Sequence, residues 1–377
     1  MEIQLPESEG LDIQDLKCIF DKKSECYKLF WFKAILKKVK EGQQDITYNE
    51  LVCLMMADAY YMVNEYHLNL GPNDSLEKIV KIIAQQTEVK PSEKVEKIYD
   101  MLLDYSDKEI TTLKSNLIKN VPYCLQSHFL QGTTIEHLSS KREEKIRELN
   151  RQQRLLYYYG PYRQYDTKIM ITDAWFLYLS KNLEILEGWV QYNLIKYLQR
   201  RNPTIPGIPN KIAPPKKRDL TEAKAFWRAV ITKIEIEDCY TGHVLNEEGI
   251  EKFGKIEIDH FIPWAFVAND EIWNLVPTFK NVNLSKSNFL PDMEKDLQKM
   301  AYEHNKAFRV AETDSRIKKL LKKYLEKNLN DMTVKMDLYT NRIEEKQYEK
   351  GISKIIEPIY LSAQNAGYKE WINRIEA

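Results

Sequence analysis

Apolar residues along the first two hundred positions recur at helical spacing. Leu16, Ile19, Phe20, Tyr27, Phe30, Trp31, Ala34 and Ile35 lay an apolar face along 12–40, the periodicity of a helix packed on one side. Thr47 precedes Glu50 by three residues just before LVCLMMADAYYMV, and Asp74 precedes Glu77 in the same way before IVKII. Both are capping-box spacings and predict helix starts. Leu70-Gly71-Pro72-Asn73 predicts the turn between them. Helical spacing continues near 92–119 and 139–158, and then over about 172–200, from AWFLYLSKNLEILEGW into VQYNLIKYLQR.

The periodicity breaks at 201–218, RNPTIPGIPNKIAPPKKR, where five prolines and a glycine exclude a continuous helix. This stretch predicts a linker or an extended strap. Helical pattern resumes over 221–231. From 239 to 291 the character changes. CYTG predicts a turn, KIEID alternates as a strand does, and WNLVPT predicts a second short strand. Pro291 then opens a helix from 292 to about 309, and 315–329 and 343–375 return to helical spacing. The expected division is a helical N-terminal region at 1–200, a Pro-rich basic linker at 201–219, a small α/β module at 220–310 and a helical tail at 311–377.

Composition narrows the function classes. Lys and Arg number 56 and so do Asp and Glu, so any affinity for nucleic acid must come from local patches, not from the net charge. The five cysteines include no CxxC pair. This speaks against a disulfide framework or a four-cysteine zinc site and for a reducing, cytoplasmic setting. The acidic N-terminus lacks the apolar run of a signal peptide, and no apolar stretch reaches the length of a membrane span.

The segment Cys239–Pro291 carries the candidate chemistry. Asp259-His260 stands directly before Phe261-Ile262-Pro263. Asn274 follows His260 by fourteen residues within WNLVPT, and Asn283 follows nine later, leading into Lys286 and Asn288 of NLSKSN. A Tyr-x-Gly turn, Tyr240–Gly242, lies upstream. This pattern resembles the ββα-metal module of HNH nucleases, in particular the HNH domain of RNA-guided CRISPR effectors and of bacterial HNH proteins with helical companions. The flank LQRRNPTIPGIPNK resembles those companions too.

The resemblance implies an α+β fold, predominantly helical with a small ββα-metal module, and a metal-dependent endonuclease that hydrolyses phosphodiester bonds in DNA. His260 would be the general base. Asp259 and Asn283 would hold one divalent ion, Mg²⁺ or Mn²⁺, and Asn274 would orient the histidine and its loop. The residue types suit that chemistry. A neutral imidazole accepts a proton near pH 7, and an oxygen-preferring ion that keeps its waters needs few protein ligands. Asparagine in place of the final histidine favours such an ion over zinc.

Lys286 and the linker residues Lys216, Lys217 and Arg218 are the expected nucleic-acid contacts. Further basic residues stand at Arg200, Arg201 and Lys211, and on the helix Arg316–Lys327, for which the alternative is a solvated face. RQQRLLYYYGPYR combines arginines with tyrosines suited to stacking on unpaired bases, the alternative being half-buried packing. His67, His128, His137 and His304 have no metal-like partner at short spacing. A defence or restriction role, and release from a silent state by a regulatory protein or by homo-oligomerisation, follow by analogy alone. The competing functions are a non-cleaving nucleic-acid-binding or scaffold subunit with a degenerate HNH fold, and a toxin nuclease directed at RNA.

Overall fold

The computed structural model describes the chain apart from residues 1–3, 22–25, 73, 106, 130–149, 152–153, 213–218, 330, 341–342 and 373–377. It is predominantly helical with two small antiparallel sheets, and it divides into two units, Met1–Pro203 and Thr204–Ala377.

In the first unit the helices are α1 Gln14–Lys17, α2 Tyr27–Lys40, α3 Tyr48–Asn64, α4 Ser75–Gln86, α5 Val95–Asp104, α6 Lys108–Leu125, α7 Asp173–Lys181 and α8 Leu183–Arg201. The single helix expected over 12–40 is two. The Phe20 and Phe32 rings meet at 6.0 Å, whereas twelve residues of continuous helix would hold them about 18 Å apart, so one continuous helix does not carry both. The helix expected over 172–200 is also two. At its break, Asn182 Nδ2 donates to Tyr178 O at 2.9 Å, the local competition for backbone groups that makes Asn a poor helix-interior residue.

Both predicted caps are present. Thr47 and Glu50 exchange the two bonds of a capping box. Asp74 Oδ1 accepts from Glu77 N at 2.9 Å, but Glu77 Oε2 accepts from Leu70 N instead and secures the preceding turn.

The sheet of this unit was not expected. Strand β1 (Asp45–Thr47) and strand β2 (Tyr157–Tyr159) flank β3 (Lys168–Ile171), with Ile169 opposite both Ile46 and Tyr159. Residues 157 and 158, assigned to a helix by periodicity, are therefore strand. Three successive tyrosines on a helix would splay about 100° apart, whereas a strand sends Tyr157 and Tyr159 to one buried face. There Gln126 bonds Tyr157 N and O at 3.1 Å each, and both phenols donate to Pro122 O. These two rings are packing residues and are not exposed for base stacking. Most of the helix expected over 139–158 lies outside the described residues.

The second unit contains α9 Ile208–Ile212, α10 Thr221–Lys233, α11 Glu247–Phe253, strand β4 Ile256–His260, α12 Trp264–Val267, strand β5 Leu275–Phe279, α13 Lys280–Lys286, α14 Lys295–Thr313, α15 Ser315–Asn328, α16 Met332–Leu338 and α17 Glu345–Asn365. Strands β4 and β5 pair antiparallel, with Asp259 opposite Val276 and His260 opposite Leu275. Helix α13 packs against both strands, and α10, α14 and α15 pack on one another beside them.

The stretch expected as a linker begins by packing. Lys211 is fully buried, and its Nζ donates to Ala265 O and Phe266 O at 2.7 Å each. Gly207 lies at φ +65, and a Cβ there would come within 2.6 Å of the Ala268 methyl, so only glycine fits this approach. Burial lowers the Lys211 ammonium to about 7. Lys211 thus serves the interior of this unit and is withdrawn from phosphate. On α15, Lys323 pairs with Glu222 of α10 at 2.9 Å, so part of that basic face is neutralised within the unit. All five cysteines are free thiols. Among the described residues, no helix is long and apolar enough to cross a membrane.

His304, on α14, is enclosed by Trp227 (ring centroids 5.0 Å) and Phe308 (5.9 Å), with Tyr348 Oη 3.5 Å from Nδ1. Burial pushes its imidazole down to about 3, against about 6.5 in an unfolded chain. As pH falls through 6.5 the unfolded form takes the proton first, so the fold loses stability progressively from about 6.5 towards 3. Urea unfolding at pH 6.5 and 4.5 should show wild type losing on the order of 2 kcal/mol more than His304→Leu over that interval. Equal losses would show that His304 accepts its proton inside the fold.

Candidate active site

The site is built on the end of β4. Upstream, Asp238 closes the Tyr-x-Gly turn. Its carboxylate accepts from Tyr240 N and Thr241 Oγ1, both at 3.1 Å, and its carbonyl accepts from Gly242 N at 2.7 Å. Gly242 takes the left-handed φ of +72 that this turn demands. Burial raises the Asp238 carboxyl to about 7. The turn delivers Tyr240 into the interior, where its ring stacks parallel to Phe261 and its hydroxyl donates to Asp259 Oδ2 at 2.8 Å.

Helix α13 supplies the other side. Asn283 and Lys286 are three apart on this helix, one turn along a single face. They meet Glu257 and Asp259, which are two apart on β4 and so share a face of the strand. Asn283 Nδ2 donates to Glu257 Oε2 at 3.2 Å. Lys286 Nζ lies 2.9 Å from Asp259 Oδ2 and donates to His260 O at 2.9 Å. The Lys286 side chain is completely buried. Expected on the nucleic acid, it is engaged internally, because a buried ammonium needs its counterion and acceptors close by. Lys216, Lys217 and Arg218 lie outside the described residues.

Adjacent strand residues face opposite ways, and the side chains of Asp259 and His260 do take different partners. His260 Nε2 is 2.8 Å from Asp270 Oδ1. The strand ends at His260, however, and Asp259, His260, Asn283 and Ser287 together line one cavity of about 250 Å³, with Pro263 at its wall. Asn274 does not reach that cavity. It is fully buried, with Oδ1 accepting from Ile262 N at 2.7 Å and Nδ2 donating to Ile262 O at 2.9 Å, while its carbonyl accepts from Phe261 N. It pins the chain immediately after His260 to the start of β5.

The donor set fits an oxygen-preferring divalent ion. Tyr240 and Lys286 occupy Asp259 Oδ2 and leave Oδ1 without a donor among the described residues. Glu257 takes the Asn283 amide nitrogen and leaves the amide oxygen without one as well. One carboxylate and one amide oxygen suit an ion that retains several waters. A set of three or more His, Cys, Asp or Glu side chains able to hold a metal is absent among the described residues.

Two partners, Glu257 and Asp270, and the internal role of Lys286 are absent from the reading of the sequence. Glu257, two residues before Asp259, had a legible signal in the strand alternation. Asp270 had none, since nothing in its spacing separates it from Glu271. The internal role of Lys286 was hidden by a hydrophilic neighbourhood that suits solvent equally well. Comparison with curated proteins and with solved structures gave no match. Residues 238–292, the segment holding Asp259, His260, Asn274 and Asn283, match the family described as HNH endonuclease.

Proposed function

We propose that the chain is a metal-dependent endonuclease acting on DNA, and that its site hydrolyses phosphodiester bonds. The observation that carries this reading is the convergence of Asp259, His260 and Asn283 on one cavity within the matched segment. Asp259 Oδ1 and Asn283 Oδ1 would hold Mg²⁺ or Mn²⁺, which when bound supplies charge neutralisation at the phosphate and at the departing oxygen. His260 takes a proton from the attacking water. Tyr240 and Lys286 fix the Asp259 carboxylate, Glu257 fixes the Asn283 amide, and Asn274 fixes the backbone beyond the base. Products with 5′-phosphate and 3′-hydroxyl ends are in keeping with the resemblance. A role in defence or restriction rests on analogy with nucleases that carry long helical companions.

Supercoiled plasmid, single-stranded DNA and RNA should be incubated with the purified chain and Mg²⁺ or Mn²⁺. The expected result is cleavage of DNA that stops on chelation and returns with either ion. Cleavage indifferent to chelation would remove the metal from the reading. Cleavage of RNA alone would redirect the substrate.

A further inference from the structure

We propose that Asp270 is the positioning residue of His260: its carboxylate holds the imidazole in the Nε2–H form and leaves Nδ1 as the nitrogen that receives the water proton. The inference rests on reading His260 as the base. Its ground is the 2.8 Å contact between Nε2 and Asp270 Oδ1. An ionised carboxylate has no proton to give, so Nε2 must be the donor. In a neutral ring the proton then sits on Nε2, and Nδ1 keeps its lone pair. Among the described residues Nδ1 has no partner, and His260 lines the cavity shared with Asp259 and Asn283.

The loop that carries Asp270 is held on several sides. Ala268 adopts the left-handed conformation at φ 53, which turns the chain out of α12. Glu271 Oε2 accepts from Trp273 Nε1 at 2.8 Å. Tyr324, buried on α15, donates its hydroxyl to Asp270 O. The histidine is held independently at its backbone, where Lys286 donates to His260 O. Ring and backbone therefore have separate anchors, and a residue with both fixed has little rotamer freedom left to lose when the water arrives.

The step balances. One water proton passes to Nδ1, the water oxygen bonds to phosphorus, and the bond from phosphorus to the 3′ oxygen breaks with its electron pair on that oxygen. Solvent protonates that oxygen, and the imidazolium returns its extra proton to solvent. While the ring is charged, the Asp270 carboxylate beside Nε2 stabilises it, as a carboxylate behind a catalytic imidazole does elsewhere.

The test uses the full chain labelled with ¹⁵N-histidine, with the His260 signals assigned by their loss in His260→Ala. Long-range ¹H–¹⁵N spectra at a pH where the ring is neutral should show the Nε2–H form in wild type. Asp270→Asn should lose that preference, because an amide can donate as well as accept. It should also lower kcat, by no more than the about 10²–10⁴-fold expected for losing the base itself, with KM unchanged, and it should add no loss to His260→Ala. Asp270→Glu should recover part of both readouts. An Nδ1–H ring in wild type would overturn the proposal even if no variant folds. Wild-type kcat and tautomer in Asp270→Asn would overturn it too, as would a full further loss in the His260→Ala background. Absence of a His260 requirement for cleavage would instead defeat the reading of the base, while the spectra still decide whether Asp270 sets the tautomer.

Discussion

Replacing His260 by alanine should lower the rate of DNA cleavage by about 10²–10⁴-fold, the range for loss of a general base, with the fold and the ion retained. The side chain proposed as the base carries little of the architecture. The contact of Lys286 with this residue is to its backbone oxygen, which alanine preserves. Asn274 holds the following residues through Ile262 and Phe261, not through the imidazole. Asp270 is partly exposed, with about a quarter of its side chain accessible, so water can replace the lost partner. The oxygens assigned to the metal belong to other residues. The measurements are cleavage rate, melting temperature and Mn²⁺ binding on the same preparations. A variant that melts normally, binds the ion and still cuts at the wild-type rate would remove His260 from the mechanism.

Replacing Asp259 should have two effects at once. Its carboxylate is a candidate ligand and also the counterion of a fully buried ammonium. Asp259→Ala strands Lys286 without its anion and Tyr240 without its acceptor. Removing one partner of a buried ion pair costs about 3–5 kcal/mol, a large share of the 5–15 kcal/mol that holds a typical domain together. Lost activity in that variant would not by itself identify a ligand.

The double variant Asp259→Asn, Lys286→Met removes both charges and leaves Tyr240 an acceptor. It should return stability to within about 1 kcal/mol of wild type, since replacing a buried pair by neutral groups is often close to neutral, yet it should not cleave. Urea unfolding and plasmid cleavage of the three proteins check this. Wild-type stability in Asp259→Ala would show that the ammonium does not depend on this carboxylate. Cleavage by the double variant would place the metal elsewhere.

The parts of the site that could be read in advance are those tied to local pattern. KIEID alternates, so β4 is legible in the sequence, and Asp259-His260 before Ile-Pro marks its end. Asn274 and Asn283 follow at spacings set by the return strand and helix. What remained hidden depends on contacts between distant segments. Asp270 reaches His260 only because the chain turns back after α12. Tyr324 meets that loop from 54 positions away. Strand β1 pairs with β3 across more than a hundred residues, and strands of three or four residues carry too few alternations to stand out from helical periodicity. The burial of Lys211 and Lys286 is hidden in the sequence for a common reason. Lysine is rarely buried, so composition places it outside, and only the finished fold supplies the carbonyls and the carboxylate that bring it in.

The hydrogen bond from Tyr324 to the loop behind His260 bears on how this module can be moved between proteins. The fifty-five residues with family resemblance include the proposed base and the proposed ligands but omit the helix that steadies the loop. A graft of 238–292 into a foreign scaffold would carry the reactive groups without their brace. A piece that keeps the brace must span from the buried Lys211, which secures α12, to the end of α15 at Asn328, and Tyr368 and Trp371, which pack on Phe266 and Tyr240, carry it on to the C-terminal segment.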